Sequence, residues 1–346
     1  MPLIEAKQLT NFVARILQAA GAPAAEAGQV AESLVQSNLV GHDSHGVVRV
    51  RQYLDTIAAG ELKPAAKPLI AQETPTITMV DGRHGFGQLA ARFAMEQTIA
   101  KAQLQGLAAA GLYNCNHIGR LGEWVQLAAD QGMIGLAFCN GGRPGGLVTP
   151  YGGSGRMLGT NPIAAAVPIA DHPPVIIDFS TSVVAEGKVR VARNKGQIVP
   201  EGWIQDAAGR PSTNPDDLYA GGALLPMAGH KGYGLSLLVE LLGGMLTGQS
   251  CPGLPTYTVL KNGVLFIVLA IEPFRSPEDF LRDSSILCQL VKRVPPAPGF
   301  DEVLLPGEPE QRTAERRQIE GVPVDETTWR QLTTAAAEFG VAVSEL

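Results

Sequence analysis

The sequence predicts an α/β protein that opens with a helical unit, and three observations carry that prediction. From residue 76 onward, segments of strand character alternate with segments of helical period, the alternation that defines the α/β class. Before residue 62 only helical spacing occurs. Hydrophobic residues make up 45% of the 346 and charged residues 17%, a balance that supports a large buried core and, by length, two packed units.

Taken in order, Leu9, Phe12, Ile16, Val30, Leu34 and Leu39 recur near helical spacing, interrupted at GAP, 21–23. The stretch LKPAAKP, 62–68, closes this part. TITMV then reads as a strand, GQLAARFAMEQTIAKAQ as a helix and GLAAAGLY as a strand, followed by a helix over 120–131 and a strand MIGLAF, 133–138. Residues 139–146, CNGGRPGG, are dense in glycine and read as a loop. AAAVPI and PPVIIDF are two buried strands, GYGLSLLVELLGGML, 232–246, is an apolar helix, and GVLFIVLAI, 263–271, is a further buried strand. The tail after 310 is helical.

Several classes of function are excluded early. A net charge of −6 without any Lys/Arg block offers no surface for nucleic acid. The longest apolar run, 264–271, is far short of the roughly 20 residues that span a bilayer, and Glu5 sits in an N-terminus without a signal-peptide core, so a soluble, cytoplasmic protein is expected. Cys115, Cys139, Cys251 and Cys288 are widely spaced and read as reduced, buried thiols. No phosphate-binding GxxxxGK[ST] loop, GxSxG elbow or HExxH helix occurs.

The segment NLVGHDSHGVVRVRQYL, 38–54, concentrates chemistry. With a helix starting near the cap residue Ser44, His45 and Arg49 fall on one face. That pair suits a 2-hydroxy or 2-oxo acid, with guanidinium on the carboxylate and imidazole exchanging a proton with the neighbouring oxygen. A capped helix with a solvated His and Arg is the other reading. His42 and His45 lack further ligands at metal spacing, so no metal is expected. In YNCNHIGRLGEW, 113–124, His117 ends a strand and precedes a helix, a common lining for an anion or cofactor site. Asp178, Ser180, Thr181 and Ser182 are delivered at the end of a buried strand, and His230 and Lys231 stand between glycines before an apolar helix, where a lysine can meet a pyrophosphate. GFGQLA, with Gly85, Gly87 and Ala90, fits the looser dinucleotide fingerprint, yet the next strand ends at Asn114, where a ribose-binding acid belongs.

Together, GHDSHGVVRVRQYL, NHIGRLGEW, GTNPIAAAVP, IIDFSTS, EGKVRVARNKG, HKGYGLSLLVELLGG and LLPGE resemble, in order from about residue 10 to 340, the type 2 malate and L-lactate dehydrogenase family. That family includes ureidoglycolate, sulfolactate and hydroxycarboxylate dehydrogenases, and the NLxGHDSHG and NHIGR spellings are nearest the hydroxycarboxylate branch. The resemblance implies a non-Rossmann NAD-binding α/β fold: a central mixed sheet at 76–304, with a helical unit at 1–75 joined by 305–346. It implies hydride transfer between NAD, or NADP, and a 2-hydroxy or 2-oxo acid. His45 is then the proton donor and acceptor and Arg49 the carboxylate clamp, with His117 at the active site as well. Cofactor contacts fall on His45, Gly119, Arg120, Leu121, Ile176, Ile177, Asp178, Phe179, Ser180, His230, Lys231, Gly307 and Glu308, and the assembly is a homodimer. Residues 249–260 depart from the family pattern. Reduction of a cyclic imine such as piperideine-carboxylate, or binding without catalysis, are the alternative functions.

Overall fold

A computed structural model describes residues 2–142, 144–255 and 257–343. The chain starts with a short strand β1 (Leu3–Ile4) and helices α1 (Ala6–Ala19) and α2 (Ala24–Leu39), broken where the GAP triplet interrupts the apolar period. A single 3-10 turn, Asp43–His45, leads into α3 (Arg49–Ala58). All six apolar residues that mark the period, Leu9 to Leu39, are buried.

A seven-stranded sheet follows, built from β2 (Leu69–Glu73), β3 (Ile77–Asp81), β4 (Leu107–Cys115), β5 (Ile134–Gly142), β6 (Ile163–Ile169), β7 (His172–Phe179) and the late β11 (Lys261–Leu269). Its order is β2-β3-β4-β11-β5-β6-β7, and only β3–β4 is parallel. This mixed sheet is not a Rossmann sheet, whose strands are mostly parallel. Helices α4 (Gly87–Gln105) and α5 (Leu121–Ala129) pack on it through Ala91, Ala94, Met95, Trp124 and Val125, burying one continuous core with Leu112, Ala137 and Phe266. Residues 139–142 extend β5 rather than forming a loop, because they pair with β11; Arg143 and Thr256 lie outside the described residues.

Between β7 and β11 the chain forms α6 (Glu186–Asn194), a three-stranded sheet of β8 (Ile204–Gln205), β9 (Pro211–Ser212) and β10 (Ala223–Leu224), and α7 (Pro215–Tyr219). These enclose a small core of their own around Val148, Val189, Ile204, Leu218 and Leu224. Helix α8 (His230–Val239) continues as a π-turn, Glu240–Met245. The widened turn lets Gly243 and Gly244 lie against the sheet, where a Cβ would come within 2.8 Å of the Asn140 amide nitrogen and within 2.5 Å of the Asn140 carboxamide. Helix α9 (Pro277–Lys292) is capped by Ser276 and buries only Ser285; its apolar residues Ile286, Leu287, Leu290 and Val291 lie exposed.

The chain returns with α10 (Glu308–Glu320), β12 (Val322–Pro323) and α11 (Glu326–Glu338). β12 pairs with β1, and Val322, Leu332, Ala335 and Ala336 join the core made by α1, α2 and α3. Both ends of the chain therefore build one helical layer, and the segment carrying His42 to Arg49 lies in it. No helix among the described residues is long and apolar enough to cross a membrane. All four cysteines are free, and Cys115, Cys139 and Cys251 are buried.

Candidate active site

The helix at the SHG segment begins at Arg49, not near Ser44. Residues 43–45 form a 3-10 turn, because the buried carboxamide of Asn38 claims that backbone: its Nδ2 donates to Asp43 Oδ1 at 2.6 Å and its Oδ1 accepts the Val47 amide at 2.9 Å. Gly46 lies flat against this carboxamide; a Cβ there would stand 2.1 Å from Asn38 Oδ1. From α10, Arg317 donates to both oxygens of Asp43, at 2.7 and 3.1 Å. The turn so fixed presents His42, His45 and Arg49 side by side. Arg49 donates from Nε to the Ser44 carbonyl at 2.6 Å and from Nη1 to Gln52 Oε1 at 2.7 Å, which holds the guanidinium next to His45.

His117 arrives from the end of β4. The Asn116 carboxamide donates to the His84 and Gly85 carbonyls at 2.9 and 3.1 Å, and Asn262 Oδ1 accepts the Ile118 amide at 3.1 Å, so the backbone on both sides of His117 is tied. Here the glycines of GFGQLA find their use. A Cβ on Gly87 would stand 2.2 Å from the His117 carbonyl and one on Gly85 2.7 Å from the Ala66 carbonyl, so they admit close backbone approach. The dinucleotide fingerprint is thus a packing feature beneath His117.

The rings of His45 and His117 stack, with centroids 5.6 Å apart and planes 12° apart. His117 Nδ1 lies 2.9 Å from the Tyr53 hydroxyl, which accepts from Gln88 Nε2 at 2.6 Å; His45 Nδ1 lies 3.2 Å from Ser44 Oγ. Burial, then the charges of Arg49 and His42 with Arg120, lower the pKa of His45 to about 3. Burial, then Arg49 and His45, likewise hold His117 well below the ordinary imidazole range. Both rings are neutral at pH 7. Tyr53 and Gln88 are neighbours of the pair that the sequence motifs did not reveal, and Tyr53 had a signal: it lies four residues after Arg49, on the same face of α3.

Beside this pair opens a cleft of about 540 Å³ between β7, α9 and α10. Of the sequence-predicted cofactor residues, Arg120, Ile176, Ile177, Asp178, Phe179, Gly307 and Glu308 line it; His45, Gly119, Leu121, Ser180, His230 and Lys231 do not. His42, which the sequence left without a role, does line it, and its ring is 6.5 Å from that of His45, so the cleft abuts the histidine pair. Gly119 and Leu121 flank Arg120, and Ser180 follows Phe179. His230 and Lys231 open α8, exposed, with His230 edge-on to Tyr151 at 5.9 Å. Arg120 is 4% exposed, its enclosed Nε has no hydrogen-bond partner among the described residues, and the carboxylates of Glu123, Asp178 and Glu310 lie near enough to act on its charge. Asp178 Oδ2 accepts the Gly122 amide at 2.7 Å and so caps α5; burial, the largest influence, raises its carboxyl above the usual range. Glu308 is bound by Lys292 and by the Leu305 amide. Gly307, at φ +97°, has the left-handed backbone that glycine favours, and its α-carbon lies close to the Ile176 backbone. Among the described residues no cluster of three His, Cys, Asp or Glu can hold a metal ion.

Residues 4–333 match the family model described as malate/L-lactate dehydrogenase. A malate dehydrogenase of Pyrococcus abyssi is 37% identical, over 96% of this chain and 94% of the relative, and hydroxycarboxylate dehydrogenase B of Escherichia coli K12 is 35% identical, over 97% and 94%. The solved structure of sulfolactate dehydrogenase from Methanocaldococcus jannaschii superposes with a TM-score of 0.90 at 32% identity, covering 99% of each chain. Sheet and helical layer are thus those of an α/β oxidoreductase with a non-Rossmann sheet. The chain belongs to the malate/L-lactate dehydrogenase family.

Two predictions follow from this geometry. Gly46→Ala is expected to lower stability by about 1–3 kcal/mol, the usual cost of overpacking, since the new methyl displaces the carboxamide that holds the turn. Urea denaturation checks it, and an unchanged midpoint would show that Asn38 moves aside freely. The second concerns pH. Between the ordinary histidine pKa of 6.5 and about 3, the unfolded chain binds a proton at position 45 that the folded chain refuses, so this group's contribution to stability is lost as pH falls through that window. The urea midpoint should drop more steeply between pH 7.5 and 5 in the wild type than in His45→Gln/His117→Gln; equal slopes would refute the neutral pair.

Proposed function

We propose that the protein is a nicotinamide-dependent 2-hydroxy-acid dehydrogenase that uses NAD, interconverting a small hydroxycarboxylate and its 2-oxo acid. The observation that carries this reading is the neutral, stacked His45–His117 pair with Arg49 locked beside it. In the oxidising direction Arg49 holds the substrate carboxylate and His45, unprotonated, accepts the hydroxyl proton as the C2 hydrogen leaves with its electron pair. The nicotinamide, when bound, supplies the hydride acceptor or donor, and the protein supplies orientation and electrostatics. Arg120, a cation on the wall of the adjoining cleft, supports an anionic ligand there, with Ile176, Ile177, Asp178, Phe179, Gly307 and Glu308 as the other walls. Gly119, Leu121, Ser180, His230 and Lys231 complete the proposed cofactor set on the family resemblance. NAD is favoured over NADP because the cleft offers Asp178, Glu308 and Glu310 against Arg120 and Lys292, and Lys292 is already paired with Glu308, an arrangement that does not welcome a further phosphate.

The protein is also proposed to work as a homodimer. Leu241 and Leu246 are 51% and 63% exposed, beside Leu237, Leu238 and Met245, an apolar face that a second copy would cover.

Turnover of L-malate, L-lactate, ureidoglycolate, sulfolactate and a cyclic imine, each with NAD and NADP, tests the chemistry. Reduced nicotinamide is expected from a hydroxy acid with NAD; activity confined to the imine would replace this reading. Arg49→Ala should raise KM for that acid on the order of 10- to 100-fold, the loss of one charged hydrogen bond, and an unchanged KM would remove the clamp. Light scattering should give twice the chain mass, falling to one in Leu241→Asp/Leu246→Asp, whereas a monomeric wild type would end the dimer proposal.

A further inference from the structure

We propose that Tyr53 and Gln88 are positioning residues that fix His117 in the tautomer carrying its proton on Nε2, so that this ring offers a hydrogen-bond donor to the reaction centre and leaves proton uptake to His45. The proposal rests on the reading above, which puts both histidines at that centre.

The hydrogen-bond inventory of one buried phenol gives the direction. Tyr53 is 2% exposed, and its hydroxyl has two recorded neighbours, Gln88 Nε2 at 2.6 Å and His117 Nδ1 at 2.9 Å. An amide nitrogen donates and has no lone pair to accept with, so the single phenolic proton has His117 Nδ1 as its acceptor. With Nδ1 accepting, a neutral imidazole carries its proton on Nε2. The opposite direction would leave the phenol accepting from both neighbours with its own buried proton unpaired, or would need Gln88 turned over, with Oε1 accepting from the phenol and the phenol accepting from Nδ1–H. Gln88 is 2% exposed and its Oε1 already lacks a partner. Turning it over would exchange an unpaired acceptor for a second unpaired N–H hydrogen, and buried orphan donors are the rarer state.

The surroundings support a neutral chain. Burial, foremost, pushes the Tyr53 hydroxyl far above its ordinary range, so its proton stays available to donate. Arg49 and Tyr53 from α3, His45 from the 3-10 turn and Gln88 from α4 are the groups that face His117, and the only formal cation among them, Arg49, disfavours a second positive charge. The near-parallel stack of the two rings has the same consequence, because two imidazolium rings 5.6 Å apart repel. Two neutral rings with different hydrogen-bonding partners can divide the work: one polarises the substrate oxygen while the other takes the proton. Gly87 brings α4 close enough for this contact, since it packs directly beneath the Asn116 and His117 carbonyls and places Gln88 next to the phenol.

The alternative is that Tyr53 only fills the core, where it meets Phe86 edge-on at 6.1 Å. Nitrogen-15 NMR of the histidine rings in the full-length protein separates the two, with His117→Gln identifying the His117 signals. The wild type at pH 7.5 should show His117 as a single neutral form protonated on Nε2. Tyr53→Phe, which keeps the ring that packs on Phe86, should show both tautomers, and Gln88→Leu should shift the same signals in the same sense. In turnover of the hydroxy acid, Tyr53→Phe should lower kcat roughly 10- to 100-fold, the usual effect of losing a partner that orients a functional histidine, with KM within about twofold. A wild-type His117 protonated on Nδ1, or His117 signals unmoved by Tyr53→Phe, would overturn the proposal. Full kcat in His117→Gln would instead overturn the placement of His117 at the reaction centre, whatever its tautomer.

Discussion

The carboxamide of Asn38 holds the candidate site in place. It sits at the end of α2, 4% exposed, and spans the turn that follows, giving a proton to Asp43 and accepting one from Val47. The hydrogen bond to a carboxylate is of the stronger kind, contributing about 1.5–3 kcal/mol. Gly46 has to be glycine for the carboxamide to lie where it does, and the resulting curvature brings His42, His45 and Arg49 onto one side. Arg317 closes the arrangement from α10, near the other end of the sequence, through Asp43. The site therefore forms only when the two ends of the chain have packed into one layer.

A second buried polar system carries the sheet side. Asn262 on β11 accepts the Ile118 amide and donates to the Asn140 carbonyl on β5 at 2.9 Å. Asn140 in turn donates to Glu240, whose carboxylate also accepts from Asn161 Nδ2 at 2.8 Å and the Gly159 amide at 3.1 Å. Every donor to this buried carboxylate is neutral, so its position is specified by geometry rather than by a counter-charge. The π-turn explains how it gets there: one extra residue in the turn lets Gly243 and Gly244 settle against the sheet while Glu240 points inward. Because β11 lies between β4 and β5, the network links the segment after His117 to α8 without crossing the sheet.

What the sequence revealed follows the same physics. The helical layer was readable because α1 and α2 bury a stripe at regular spacing, and β3 to β7 and β11 because each is a short apolar run between turn residues; β2, LIAQE, is largely exposed and has no such run. The motif around His45 and His117 was readable because few structural demands put two imidazoles and an arginine so close to glycines. The start of the helix was misplaced because Ser44 resembles a cap, while Asn38, at the end of α2, had already engaged the Val47 backbone. The small three-stranded sheet uses two-residue strands too short for any period to appear. His42 and Gln88 owe their positions to packing between elements distant in sequence, which no local pattern encodes. Gly85 and Gly87 spell a loose dinucleotide fingerprint that the missing ribose acid already counted against, and in the structure they let a helix start directly beneath another backbone.

The electrostatics of the histidine pair set a limit on how such a site can work. Arg49 and Arg120 act on His45 through a medium of low dielectric, and together with burial they keep it neutral. A neutral ring can accept a proton from a hydroxyl, but to deliver one to a keto oxygen it must first be charged. An anionic substrate changes that balance, since a carboxylate held by Arg49 cancels the nearest positive charge and raises the basicity of the ring beside it. Under the proposed chemistry the same residue thus does two things at once: it binds the acid and makes His45 basic only when the acid is present. Loss of the guanidinium would weaken binding and also remove the charge that keeps the empty site neutral, so the two effects on His45 oppose one another. The clamp and the base are in this sense one device, and the turn fixed by Asn38 sets their separation.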